Sequence, residues 1–485
     1  MNPFPRPGFL AFFVILAVTY SCTKVYAPEY ENNIENAGDY QWDSSGEVNI
    51  ALDGSSATVK GKGVTVKGGE VLITSGGNYR ISGTLNNGRI VVNYPGDSIV
   101  RLILDGVAVT GNTNAAIFIR DAGKTIVYLE EGSVNSLTDA VSYVFDDVAG
   151  SEPAAALYSK SYLSICGNGT LNVNGRFLDG IVGKDGLVIR SGSVSVNAVD
   201  DGIRGKDYLL IHDGDISVTS GDDALKSDVS IVVEAGTLHI ASGDDAIHAD
   251  SSLAINGGCI DITRSYEGLE SIALSINGGN IHLVSSDDGI NAADGTGGGQ
   301  PGMPGMPPQG GFTSGSCSLR ITGGYTWVNG SGDGIDINGS VEMTAGTLII
   351  DGPTANDNGA LDYDGTCKVT GGTILAIGSS GMAQAPGTGS SQNSVMITFS
   401  SQQPAGTLVT ITDSNGNAVV SAGNSKKFQS VVYCSSNLVK GSSYDIYLAG
   451  TNSGTVADGI YQGGQYTPGS KYRSFTVSGI ITQVR

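Results

Sequence analysis

The sequence predicts an all-β protein, a parallel β-helix with coils of about 22 residues, followed by an antiparallel β segment. Three observations carry this expectation. A short motif recurs at a fixed interval, the strands between its copies alternate apolar with polar, and glycine makes up 73 of the 485 residues. Glycine at that density excludes a mostly helical protein, because each interior glycine costs a helix about 1 kcal/mol.

The repeat is explicit between residues 178 and 291. Asp179-Gly180-Ile181, Asp201-Gly202-Ile203, Asp223-Ala224-Leu225, Asp245-Ala246-Ile247 and Glu267-Gly268-Leu269 follow one another at intervals of 22, and Asp288-Gly289-Ile290 comes 21 later. Most copies continue into a short strand, a glycine turn and a second strand, as in Leu209-Leu210-Ile211, Asp213-Gly214, Ile216-Ser217-Val218. Period-two alternation with β-branched residues reads as strand. One copy cannot bury its apolar face alone, but stacked copies pair strand on strand about 4.8 Å apart and close a common core. Ile216, Leu238, Ile260 and Ile281 are then expected to form an inward ladder. Nonapeptide calcium rolls have the wrong period.

The other elements follow in chain order. Residues 9–18 (FLAFFVILAV) form an apolar run of ten, too short to span a bilayer and preceded by Arg6. Ser21-Cys22 follows, so residues 1–22 are expected to be a lipoprotein signal with Cys22 as the lipidated residue, plain secretion being the alternative. Residues 23–46 read as a polar tether and residues 47–388 as the solenoid. Residues 294–317 are a Gly/Pro-rich insertion (GTGGGQPGMPGMPPQGG), expected to emerge beside the acidic corner as a loop. Residues 389–485, with a hairpin signal at Asn415-Gly416, read as a C-terminal β domain or a cap on the open end.

Charge narrows the function. Lys plus Arg number 26 against 47 Asp plus Glu, a formal net charge of −21, which argues against nucleic acid as a partner. From Asp179 to Asp294 there are 20 acids and six bases. Stacking aligns them in columns: Asp201, Asp223, Asp245, Glu267, Asp288; beside it Asp200, Asp222, Asp244, Tyr266, Asp287; and three positions on from the first, Arg204, Lys226, His248, Glu270, Asn291. Two carboxylates about 4.8 Å apart repel by about 3.5 kcal/mol at an effective dielectric of 20, or about 0.9 kcal/mol in bulk water. Protons, bases or cations must relieve such a column, and Ca2+ takes six to eight oxygens of this kind. Asp244, Asp245, Glu267, Glu270, Asp287 and Asp288 are the leading metal candidates, with Asp200, Asp201, Asp222 and Asp223 behind them. The alternative is that Asp caps each corner through Asx turns while the columns splay into water.

Other catalytic motifs are missing. No Ser stands in a nucleophile elbow, no HExxH occurs, and no CxxC pair offers a zinc knuckle. Gly123-Lys124-Thr125 lacks the earlier glycine of a phosphate loop, since Phe118 stands in its place. His239, His282 and Trp327 fall on equivalent outward positions, with Tyr325 two before Trp327. Tyr266, Tyr325 and Trp327 are therefore the aromatics that could stack on a sugar ring.

The copies VDDGIRGKDYLLI, GDDALKS, GDDAIHADSSLAINGG, SYEGLES and SDDGINAADG, with the upstream DGVAVTGNTNAAIFI and PAAALYSKSYLSICGNGTLNVNG, resemble a known family. It is the bacterial carbohydrate-binding-domain proteins, right-handed parallel β-helices similar to family nine pectate lyases. The resemblance spans about residues 47 to 450. It implies calcium at the acidic corners and binding of cellulose or polygalacturonate. In the related lyases a paired-Asp calcium site neutralises the uronate carboxylate and a lysine removes the C5 proton. Lys226 is the positional candidate for that base here, while Lys184 and Lys206 lie in another column. The expected function is calcium-dependent, non-catalytic binding of acidic plant-type polysaccharide by an exported protein, lipid-anchored to the cell envelope and facing outward. A pectate lyase and a passive surface adhesin or spacer are the alternatives.

Overall fold

Alternating residues and tight glycine corners build a β-solenoid of about 12 turns, closed at one end by further antiparallel strands. The computed structural model describes residues 35–145, 151–293 and 317–485. The expected lipidation residue Cys22 and nearly all of the 294–317 insertion lie outside them.

A coil consists of three short strands, for example Ile203–Gly205, Tyr208–Ile211 and Asp215–Thr219. Each strand pairs in parallel with its counterpart one coil on, so the solenoid has three faces, numbered here in that order. Ile203 registers with Leu225, Leu209 with Ile231, and Ile216 with Leu238. The inward ladder is as expected: Ile216, Leu238, Ile260 and Ile281 register in succession and are at most 1 % exposed. The turn before the third face needs a left-handed residue, and Gly214, Gly236 and Gly258 supply it with φ of 129°, 103° and 92°.

Both ends are managed. At the start, Val48–Gly54 pairs antiparallel with Ala57–Lys60, and Val64–Lys67 with Glu70–Ile73. At the far end, Thr373–Gly378 pairs antiparallel with Phe428–Ser435, which in turn pairs with Ser394–Gln403. This arrangement covers an edge that would otherwise template aggregation. A separate six-stranded antiparallel sheet, Leu408–Thr412 and Ala418–Gly423 among its strands, shares a second core with the outward side of the third face. Ile349, Leu375 and Ile377 pack there with Phe399, Ile411 and Phe428. The C-terminal residues thus both cap the solenoid and form a sheet of their own.

The end of the stretch expected to be a tether is docked. Residues 35–46 lie along the second face, where the Arg190 guanidinium stands 4.3 Å from the Tyr40 ring centroid. Glu35 accepts from Arg190 at 3.2 Å and contacts His212 Nε2 at 2.8 Å, and Asp39 pairs with Lys124. Composition reads this segment as polar; the partners Lys124, Arg190 and His212 that hold it come from coils more than 80 residues away.

Candidate metal and polysaccharide site

The corner between the third and first faces is where the acids converge. Its first column is woven into the backbone. Asp223 Oδ1 accepts the N–H of Asp245 at 2.9 Å, Asp245 Oδ1 that of Glu267 at 3.3 Å, and Asp288 Oδ1 that of Asp333 at 2.6 Å. Each carboxylate therefore ties one coil to the next, and Asp201, Asp223 and Asp245 are at most 5 % exposed. The expected alternative of acids splayed into water does not describe this column. Its neighbour does reach solvent, with Asp200 and Asp222 half-buried and Asp244 exposed.

Along the first face an outward ladder runs Val182, Arg204, Lys226, His248, Glu270, Asn291, Asp336, Asp362. Its first half is basic and neutralises the buried acids. Arg204 reaches Asp201 at 3.4 Å. Lys226 Nζ lies 2.7 Å from Asp223 and 3.5 Å from Asp201. His248 Nδ1 is 3.3 Å from both Asp223 and Asp245. Burial opposes charge on His248, but hydrogen bonds to Asp223 and Asp245 and the Glu270 charge raise it to about 11. Burial likewise works against ionised Asp223, yet its bonds to His248 and Lys226 hold it below the usual carboxylate range.

Beyond His248 the ladder turns acidic and the bases end. Burial, reinforced by the charges of Asp245, Asp288 and Asp287, pushes Glu267 up to about 8 despite a hydrogen bond from Asn291. Glu270 moves upward through burial and its contact with Asp245. Burial and neighbouring carboxylates push Asp288 and Asp333 each up to about 7. Two clusters result, Asp245–Glu267–Glu270 and Asp288–Asp333–Asp336, each with carboxylate oxygens within 4.8 Å of one another. Three further groups, Asp200–Asp201–Asp222, Asp222–Asp223–Asp244 and Asp223–Asp245–His248, meet the same limit beside Arg204 and Lys226. Asn291 Oδ1, buried between these first two clusters in the ladder, has no hydrogen-bond partner among the described residues.

Nine of the ten expected metal residues fall in these five groups, Asp200, Asp222 and Asp244 from the outer column among them. Asp287 joins none of the five groups; its side chain takes the Tyr266 hydroxyl, and that bond pushes Tyr266 up to about 12. Tyr266 itself is 47 % exposed beside Glu267, an accessible ring at the acidic corner. Tyr325 and Trp327 stand elsewhere. They pack under the C-terminal sheet, where the Tyr325 hydroxyl donates to Asp458 at 2.6 Å, so they are not open platforms on a bare face. Asp333 and Asp336 were missed because the insertion breaks the 22-residue count, although Asp333-Gly334-Ile335 repeats the corner triplet.

Residues 67–300 match the family model described as carbohydrate-binding domain-containing protein. A curated protein of that same description from Acetivibrio thermocellus is 39 % identical over 158 residues, covering 32 % of this chain and 55 % of its own length. The chain thus spans about half the length of that relative. A solved structure, the polysaccharide lyase-like protein from C. thermocellum as a gadolinium derivative, shares 32 % identity, covering 51 % of this chain and 98 % of that one with a TM-score of 0.44. Residues 67–300, the stretch similar to that family model, lie within the β-solenoid and carry its acidic corner from Asp179 to Asp288.

Proposed function

We propose that this protein binds an acidic plant-type polysaccharide such as polygalacturonate, without cleaving it, through calcium held at the acidic corner. The supporting observation is the change of sign along the first face, which leaves His248 as the last base, 3.3 Å from Asp245 and 3.7 Å from Glu270, and gives Asp288–Asp333–Asp336 no base among the described residues. The donors are all oxygen, the chemistry a hard cation prefers, and the orphaned Asn291 Oδ1 adds a neutral oxygen in the same ladder. Bound calcium would supply positive charge to which a uronate carboxylate can bridge. Tyr266 offers the neighbouring sugar ring an apolar face, and the family description speaks for a carbohydrate ligand.

A non-catalytic role is favoured by Lys226. Its ion pairs with Asp223 and Asp201 hold the ammonium protonated, the opposite of what a base for C5 proton removal requires. The apolar run and Ser21-Cys22 favour a lipid-anchored, outward-facing location on the cell envelope. Labelled fatty acid incorporated by the wild type and lost in Cys22→Ala would test that anchor.

Pull-down on polygalacturonate, with calcium and with a chelator, tests the central reading. Retention only with calcium is expected. Equal retention in both would remove ion bridging, and an unsaturated uronate product absorbing in the ultraviolet would reinstate the lyase.

A further inference from the structure

Where the third face passes beneath the C-terminal sheet there is a cavity of about 290 Å³ whose lining includes none of the corner acids. Its floor is made by Trp327, Ile349 and Leu375, which register on successive coils. Its roof comes from residues 422–425 and from the turn around Asp458, with Tyr461 at the side. Two of the lining residues each carry a buried polar atom, Asp351 Oδ1 and Asn424 Nδ2, with no hydrogen-bond partner among the described residues. Asp351 is 7 % exposed and Asn424 4 %. The second Asp351 oxygen is taken by the Ser425 hydroxyl. Lys426 gives its hydrogen bond to the Gly330 carbonyl at 2.7 Å and stands 3.8 Å from Asp351 Oδ1.

A buried donor or acceptor left unpaired costs about 1–3 kcal/mol, so an unmade acceptor and an unmade donor in one cavity describe a ligand. That ligand must present a hydroxyl able to donate to Asp351 and accept from Asn424, and an apolar face to lie against an indole. A pyranose ring has both. The volume sits at the lower edge of small-molecule sites, about 300–1,000 Å³, which suits a short saccharide. Among the described residues no base lines the cavity, and the nearby Lys426 is already paired with Asp351, so nothing there holds a uronate carboxylate and the ligand is uncharged. The geometry points to a second saccharide site for a neutral pyranose, formed jointly by the solenoid and the C-terminal sheet and independent of calcium.

The chain has two tryptophans, so Trp42→Phe leaves Trp327 as the sole indole reporter. The full chain carrying that substitution is titrated in chelator with glucose, galactose, mannose, xylose, cellobiose and xylobiose, and with galacturonate as the charged control. At least one neutral saccharide should give a saturable change in Trp327 emission, weakened at least tenfold by adding Asn424→Ala. Because Asn424 Nδ2 has no hydrogen-bond partner among the described residues, that variant should melt where its parent does, which separates ligand binding from folding. The assignment is overturned if no neutral saccharide changes the emission, the result expected of an ordered water alone. It is also overturned if the response survives Asn424→Ala intact, or if galacturonate matches the neutral sugars. Chelator removes the acidic-corner reading from the experiment, so the two readings fail separately.

Discussion

Lys226 Nζ stands 2.7 Å from Asp223 Oδ2, and Asp223 in turn receives His248 from the next coil at 3.3 Å. A carboxylate 1 % exposed is thereby held ionised by two cations, one from its own coil and one from its neighbour. Removing one partner leaves a buried charge half-compensated. Lys226→Met should destabilise the fold by about 3 kcal/mol, the low end for breaking a buried pair because His248 remains. Urea denaturation checks this, and an unchanged midpoint would show the pair to be energetically idle.

Stability should depend on pH in the direction opposite to ordinary acid denaturation. Glu267 at about 8, and Asp288 and Asp333 at about 7, lie above their unfolded values near 4. The folded state then binds more protons, so their contribution is fully present below about pH 4 and is lost as pH rises through 7 to 8. In chelator the melting temperature should fall between pH 5 and 8. Calcium should flatten that fall by binding only the folded form. A profile insensitive to calcium at pH 8 would contradict the proposed site.

Tyr266 gives a prediction about the ligand alone. Its ring is exposed, so Tyr266→Ala should leave the melting temperature within about 1 °C while weakening polygalacturonate binding about three- to tenfold. Tyr266→Phe should retain most of the affinity, since the ring and not the hydroxyl makes the contact. Isothermal titration of both variants distinguishes stacking from a purely ionic grip.

Close approach at the corner can be tested at Gly243. A Cβ there would run into the Gly221 carbonyl oxygen one coil back, and backbone cannot swing aside as a side chain does. Gly243→Ala should cost at least about 2 kcal/mol. The strain falls next to Asp244 and Asp245, so calcium affinity should fall with it; a variant of full stability would show that the corners have slack.

The solenoid was legible because two periods coincide in the sequence, two residues along each strand and 22 between copies, and Ile216, Leu238, Ile260 and Ile281 obey both. The acid columns were legible for the same reason. Asp333 and Asp336 escaped because 24 inserted residues displace their coil without altering its geometry. Trp327 sits on the expected outward position, in register with His282, yet what covers it arrives from strands beyond residue 400. Local pattern gives the direction a side chain points; it carries no record of a distant segment that returns to cover it. The docking of Glu35 onto Arg190 and His212 was hidden likewise.

The ladder from Arg204 to Asp336 gives this solenoid a heading. With every group ionised, the coils of Arg204, Lys226 and His248 each carry one surplus negative charge among their three aligned positions, and those of Glu270, Asn291 and Asp336 carry two. A fibre lying along that flank would find its two ends unequally welcomed, tied down toward the later coils and only brushed by the earlier ones. A surface decorated with many such rods would therefore grip its fibres in one sense, as the nap of a fabric does.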